Sequence, residues 1–251
     1  MFDIIGAAGE TSGITLTYAY WALSKRPDVM ARLRLELSTL PQSLCRTASS
    51  KRELPDAKTL DRLPLLNAIT TETLRRWPAV PGAQPRITPD GPTTLGGYSN
   101  IPPNVKVQAY AYSMHRNRAV FPDPETWNPD RWLTASEDQL KEMHRWYMVW
   151  GQGGRMCLGS HFAIYCKYPA SYAKSVRLIK RITATKMAIA SIYSNYTTSI
   201  VDDFGGMEQM DGFTCPPKTA KVLIRFHSLT KEEHLEIEGR SQAAESKAGI
   251  V

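Results

Sequence analysis

The segment Trp150-Gly151-Gln152-Gly153-Gly154-Arg155-Met156-Cys157-Leu158-Gly159 constrains this chain more than any other ten residues. Four glycines surround one cysteine, so the backbone there can take conformations and close approaches denied to other residues. A dinucleotide loop of GxGxxG form fails, because Met156 occupies the third glycine position. A glycine-rich turn around an ordinary buried cysteine is the plain alternative. The chemical alternative is a thiolate ligand. Glycines let the backbone approach a flat cofactor, and their N–H groups can point at the sulfur. A helix starting at Leu158 would put Cys157 at its N-terminus, where the dipole favours a thiolate. Arg155 can pair with an anionic group on the same cofactor.

The rest of the chain reads as mainly helical with short extended pieces. Over residues 2–23, Phe2, Ile5, Ala8/Gly9, Ser12, Leu16, Ala19/Tyr20 and Leu23 recur at helical spacing. This pattern is already running at Met1 with no cap ahead of it, which suggests a chain whose beginning is missing. Pro27-Asp28 opens a second helix to about Leu40, and residues 41–58 read as loop. Residues 60–76 predict an amphipathic helix ended by Trp77-Pro78. Proline and glycine punctuate residues 78–107, with Val105-Lys106-Val107 extended. A short helix is expected over Gln108–Met114, and 120–132 reads as an aromatic-packed loop. Met187–Tyr196 is helical in pattern, Lys221–Phe226 reads as a strand, and residues 228–251 as a polar tail.

Composition excludes several classes. At 42% apolar residues the chain can build a core. No run of about 18 apolar residues predicts a membrane helix, and residues 1–15 lack a signal-peptide layout. Cys45, Cys157, Cys166 and Cys215 are too scattered for a disulfide scaffold, and no CxxC pair suggests zinc. The formal charge of +7 is local: Lys167, Lys174, Arg177, Lys180 and Arg181 fall within residues 166–184, a stretch with no Asp or Glu. Nucleic acid is therefore not an expected partner.

The segment 150–159 resembles the haem-binding loop of the cytochrome P-450 family, F-x-x-G-x-R-x-C-x-G, with Trp150 in place of Phe. Three further segments agree in order. Glu72-Thr73-Leu74-Arg75 matches the family's ExxR helix. Asn128-Pro129-Asp130-Arg131-Trp132 is similar to its PERF-type motif, with Asp130 for Glu. Ala7-Ala8-Gly9-Glu10-Thr11-Ser12 resembles its oxygen-activation motif, with Ala8 where glycine is usual. The resemblance implies a partial P-450 fold, mainly α with small β-sheets, running from the oxygen-activation helix and lacking the N-terminal half. It implies haem b ligated at iron by the Cys157 thiolate. Arg155, Arg86, Gly151, Gly153 and Trp150 would help bind that haem. Glu10 and Thr11 are the implied catalytic acid–alcohol pair, with Thr11 in a groove of the helix. Glu72, Arg75 and Arg131 are the implied structural ionic cluster. Met207 to Thr214 match the last substrate-contacting turn. His115 falls in a sequence usual for fungal members and is expected to be structural, not a ligand.

By the same resemblance the activity is a monooxygenase. It would insert one atom of dioxygen into a small lipophilic substrate, with electrons from an NADPH-dependent flavoprotein reductase. An intact relative would sit at the endoplasmic reticulum membrane through an N-terminal anchor, which this chain lacks. Residues 1–227 form the partial domain and 228–251 the tail. Family members run from the cysteine into one continuous helix. Here residues 166–184 intervene, with Pro169 inside the would-be helix at a cost of about 3 kcal/mol. Their acid-free composition, and the way their removal rejoins Tyr165 to Thr185, read as a retained intron. A genuine surface loop facing an acidic redox partner is the alternative. For the whole chain, the alternative to an enzyme is a catalytically inert truncated remnant, or a faulty gene model, that holds no haem stably.

Overall fold

In the computed structural model, the residues described are 2–40, 44, 55, 57–160, 184–230, 232–233, 236–237 and 239. Helix α1 (Phe2–Lys25) is unbroken. Its buried residues Ile14, Tyr18, Ala19, Ala22 and Leu23 fall on one stripe at helical spacing. Helix α2 (Pro27–Ser38) starts with proline at its first position, where the missing N–H costs nothing. It buries Val29, Met30, Leu33 and Leu37. Helices α3 (Ala57–Asp61) and α4 (Pro64–Arg76) follow. The single helix expected over 60–76 is therefore two, because Pro64 starts a new helix instead of continuing the old one. Helix α4 ends before Trp77-Pro78, as expected.

Three two-stranded antiparallel sheets complete the framework. Strand β1 (Ala83–Ile87) pairs with β4 (Lys106–Tyr110), with Arg86 opposite Val107. Strand β2 (Thr93–Leu95) pairs with β3 (Tyr98–Ile101), and β5 (Tyr196–Asp202) with β6 (Leu223–Ser228). The helix expected over Gln108–Met114 is corrected: β4 runs to Tyr110, and only the one-turn α5 (Ala111–Met114) is helical. Partner strand β1 holds Gln108, Ala109 and Tyr110 extended, overriding local pattern. Helix α6 (Arg131–Thr134) and α7 (Glu137–Trp146) come next. Helix α7 begins with a capping box, Ser136 and Gln139 each accepting a backbone N–H at the helix start. Gly153–Arg155 form a 3-10 turn. Helix α8 (Ala184–Tyr193) precedes β5, so the helical pattern expected to Tyr196 ends earlier.

The main core lies where α1, α2, α4 and α8 meet. Leu23, Leu33, Leu66, Ile69 and Ile189 are wholly buried in it. Each such side chain contributes roughly 1.5–3 kcal/mol by leaving water. Tyr18 stacks on Trp77 at 4.8 Å, and Trp21 meets the same indole edge-on at 5.6 Å. A smaller cluster of Ala68, Phe121, Trp132 and Met143 packs on the other side of α4. Helix α4 thus has apolar partners on two sides, which fixes the direction of its polar residues. The segment 166–184 lies outside the described residues except for the backbone of Ala184. The helix expected over 158–165 is described only at Ser160, which is helical, and the tail 228–251 only in part.

Candidate functional site

Glu72 and Arg75 lie one turn apart on α4 and both side chains are wholly buried. Arg75 Nε donates to Glu72 Oε2 at 2.8 Å, and Nη2 to Oε1 at 2.9 Å, a two-pronged pairing. Arg131 Nε donates to Glu72 Oε1 at 3.1 Å. The three predicted residues are thus brought together as one cluster. Two donors were not foreseen: the Trp132 indole N–H, at 2.9 Å from Oε2, and the Asn128 backbone N–H, at 2.9 Å from Oε1. Both lie in the segment 128–132, so the motif held the signal, but nothing in the spacing says that an indole faces a carboxylate.

His115 carries the cluster onward. Its carbonyl accepts from Arg75 Nη1 at 2.9 Å. Its Nε2 lies 2.8 Å from the Met148 N–H, which can only donate, so Nε2 accepts. Nδ1 therefore holds the proton and donates to the Arg75 carbonyl at 3.0 Å. Burial, with the Arg75 charge beside it, holds the imidazole down at about 3, far below its ordinary range. Neutral His115 is a strut from the cluster to Met148, and the Gly151 N–H in turn bonds the Met148 carbonyl at 3.2 Å.

The Cys157 loop hangs from that strut. The Cys157 N–H closes it on the Trp150 carbonyl at 2.8 Å, and Met156 N–H bonds the Gly153 carbonyl at 3.0 Å. Gly151 and Gly153 have φ of +67° and +71°, which L side chains rarely adopt. A Cβ on Gly151 would lie 2.7 Å from Gln84 Oε1, so β1 and the loop are in close contact there. Two residues along β1, Arg86 reaches back to the Gln152 carbonyl at 3.3 Å. Cys157 is an exposed free thiol, flanked by Met156 and by Leu158, which is 87% exposed. Arg155 is exposed, and no carboxylate pairs with it among the described residues. Among the described residues the buried indole Nε1 of Trp150 has no hydrogen-bond partner.

These features fit a flat, partly apolar, anionic metal complex. The loop offers one soft sulfur ligand, bare backbone at two glycines, apolar side chains beside the sulfur, one arginine of its own, Arg155, and a second, Arg86, from β1. No three His, Cys, Asp or Glu converge as a metal cage among the described residues. A metal held by Cys157 there would take its other ligands from an organic group.

Glu10 and Thr11 lie in the first half of α1, Glu10 exposed and Thr11 half-buried. The Thr11 hydroxyl donates to the Ala7 carbonyl one turn back at 2.7 Å. Its proton is thereby committed and its lone pairs remain available as acceptors. Glu10 Oε1 accepts from Thr214 Oγ1 at 2.5 Å, a contact that sequence spacing did not suggest. A separate cleft of about 760 Å³, lined by Trp21, Lys25, Arg76, Trp77, Arg116 and Glu125 among others, contains none of the implied haem-binding or catalytic residues, but Met207, Glu208 and Gln209 of the implied substrate-contacting turn line it. Arg76 and Arg116 both pair with Glu125 there, and with Lys25, Asp203 and Glu208 also in the lining its formal charges balance.

Comparison with known proteins places the chain in a family. The family model of cytochrome P450 matches residues 1–165. The cytochrome P450 monooxygenase orf2 of Aspergillus niger is 36% identical over 160 residues, covering 64% of this chain and 30% of its own. The cytochrome P450 monooxygenase hkm5 of Aspergillus hancockii is 30% identical over 226 residues, covering 90% of this chain and 39% of its own. Among solved structures, the cytochrome P450DA heme domain superposes with a TM-score of 0.66 at 21% identity, covering 89% of this chain and 42% of that one. The chain thus spans about a third of the length of these curated relatives. No described helix is long and apolar enough to cross a membrane.

Proposed function

Because this chain belongs to the cytochrome P450 family, we propose that it is the haem-binding part of a monooxygenase that acts on a small lipophilic molecule. The observation that carries this reading is the loop at Cys157: an exposed thiol on a glycine backbone, held to the buried Glu72 cluster through His115 and Met148. Haem bound there would supply the one-electron and dioxygen chemistry that amino-acid side chains lack.

In this reading each residue has one task. The Cys157 sulfur would hold the haem iron. Arg155 and Arg86 would pair with the carboxylates of the haem, and Trp150 would pack against it. Gly151 and Gly153 keep the backbone low enough for the ring to pass. Glu72, Arg75 and Arg131 would touch no substrate; they hold the 120–132 segment, and through His115 the backbone at Met148, in place behind the loop. Thr11 would hold a water through its hydroxyl oxygen, and Glu10 would pass protons to that water. Two electrons come from a flavoprotein reductase using NADPH, at the endoplasmic reticulum membrane.

Residues 1–227 form the domain in this reading, interrupted at 166–184. The family match ends at residue 165, immediately before that stretch, which supports reading it as an insertion. The relatives named as monooxygenases come from fungi, which supports a role in secondary metabolism.

The test is haem reconstitution of this chain followed by the spectrum of its reduced carbon-monoxide complex. A thiolate-type Soret band is expected, lost in Cys157→Ala and in Cys157→His replaced by a nitrogen-ligated spectrum. Failure of the parent chain to take up haem would instead favour an inert polypeptide.

A further inference from the structure

The residues 209–217 form a small hairpin whose tip touches α1. Gln209 and Pro217 bridge its arms, and Met210 N–H bonds the Pro216 carbonyl at 2.9 Å. The hairpin is tied to the end of α4: Cys215 N–H bonds the Ala79 carbonyl at 2.9 Å, and the Gln209 amide donates to Pro78 at 3.0 Å. The Cys215 thiol closes the tip on the Gly212 carbonyl at 3.2 Å. From this braced tip, Thr214 Oγ1 donates to Glu10 Oε1 at 2.5 Å, across 204 residues of sequence.

An exposed glutamate on a helix surface is ordinarily free to change rotamer. An ionised carboxylate only accepts, so the Thr214 hydroxyl must donate, and a charge-assisted O–H···O bond of this length is a strong one. It restrains one carboxylate oxygen and leaves Oε2 as the second. The two residues beside it on the tip that carry large apolar side chains, Met210 and Phe213, are 42% and 83% exposed.

We propose that Thr214 is a positioning residue for Glu10, its hydroxyl fixing Oε1 so that Oε2 is the oxygen through which a proton passes. The proposal rests on Glu10 as the acid of the proposed monooxygenase.

Two measurements test it. The first is a double-mutant cycle on urea unfolding of the chain without haem, using Thr214→Val, Glu10→Gln and the pair. Each single variant lowers the folded-to-unfolded ratio about two- to ten-fold, and the pair falls no further than the worse single. Thr214→Ser, which keeps the hydroxyl, stays close to the parent. The second uses the haem-loaded chain with a reductase. Thr214→Val diverts electrons several-fold from product to hydrogen peroxide and enlarges the solvent deuterium isotope effect, while Thr214→Ser restores both. Additive losses in the cycle overturn the contact and the role, as does an unchanged product-to-peroxide ratio in Thr214→Val. A parent chain with no thiolate-type band overturns the monooxygenase reading and the role together, so the two failures are distinguishable.

Discussion

Glu72 accepts five hydrogen bonds, from Arg75 twice, Arg131, Trp132 and the Asn128 backbone. A wholly buried carboxylate costs several kcal/mol to desolvate, and this density of donors is what offsets that cost. The adjoining His115 gives the cluster a pH dependence. Its imidazole is neutral in the fold, held at about 3, against about 6.5 in the unfolded chain. The unfolded state therefore binds the extra proton between these values. The stability contributed by neutral His115 is complete above about pH 6.5 and is lost as pH falls toward 3, with a slope of up to about 1.4 kcal/mol per pH unit. From pH 6.5 to 5, above the titration of ordinary carboxylates, His115 alone should remove about 1–2 kcal/mol. Urea unfolding of the parent and His115→Phe at the two pH values checks this. The variant is less stable at both, having lost two hydrogen bonds, but its loss between them is smaller. Parallel pH dependence in the two proteins would refute the assignment. The ion pairs of this cluster were legible in the motifs, since Glu72 and Arg75 share a helix face at i,i+3. The indole and imidazole contacts were not, because they join residues 33 to 60 positions apart through packing that no local period records.

Elements in this fold hold one another's ends. Helix α4 starts at Pro64 with no side-chain cap of its own; its N-cap residue is Leu63. The cap comes from α2 instead. Glu36 Oε1 and Oε2 accept the N–H groups of Leu65 and Leu66 at 2.7 and 2.8 Å. Two orphan donors of the helix start are satisfied, and the negative charge lies at the positive end of the helix dipole. Burial nevertheless raises the Glu36 carboxyl above its ordinary range, the two amides offsetting only part of that cost. Glu36→Ala leaves both N–H groups bare and should cost about 1–2 kcal/mol. Glu36→Gln, which keeps one acceptor oxygen, should cost less. Chemical denaturation ranks the three proteins, and equal stability of Glu36→Ala and the parent would show that water caps the helix as well. Sequence reading located α1, α2 and the end of α4 because their apolar stripes and prolines are local signals. It overlooked α7, although Ser136 and Gln139 stand at capping-box spacing ahead of it. It mistook 108–110 for helix because antiparallel pairing with β1 is a long-range cause. The Cys157 loop was legible through its glycines, whereas its brace at Gln84 and Arg86 depends on how β1 folds back.

At the scale of the molecule, the question is how the Cys157 loop is fastened to the core. On its amino-terminal side the fastening is plain: Met148 bonds His115, and Gln84 and Arg86 press against Gly151 and Gln152. On its carboxy-terminal side the next well-anchored residues are those of α8, where Ile189, Ala190 and Tyr193 are wholly buried against α1, α2 and α4. Between Ser160 and α8 stands the acid-free stretch 166–184 with Pro169. If that stretch interrupts one helix, deleting it joins Tyr165 to Thr185 and couples the loop to the buried α8 through continuous backbone hydrogen bonds. Helix formation is cooperative, so a join adds stability only when both sides are already in helical phase. The deletion also removes five cations and takes the formal charge from +7 to +2. The expected result is a higher melting temperature, by about 2–4 °C for each kcal/mol gained. If Cys157 holds the haem as proposed, slower loss of haem to apomyoglobin should accompany it, because the sulfur is then held from both ends. Replacing 166–184 by a Gly/Ser linker of equal length is the control, since it removes charge and proline without restoring phase. If the linker variant matches the deletion in both readouts, the gain comes from composition and not from a rejoined helix. If the deletion lowers both, residues 166–184 are a working part of the fold.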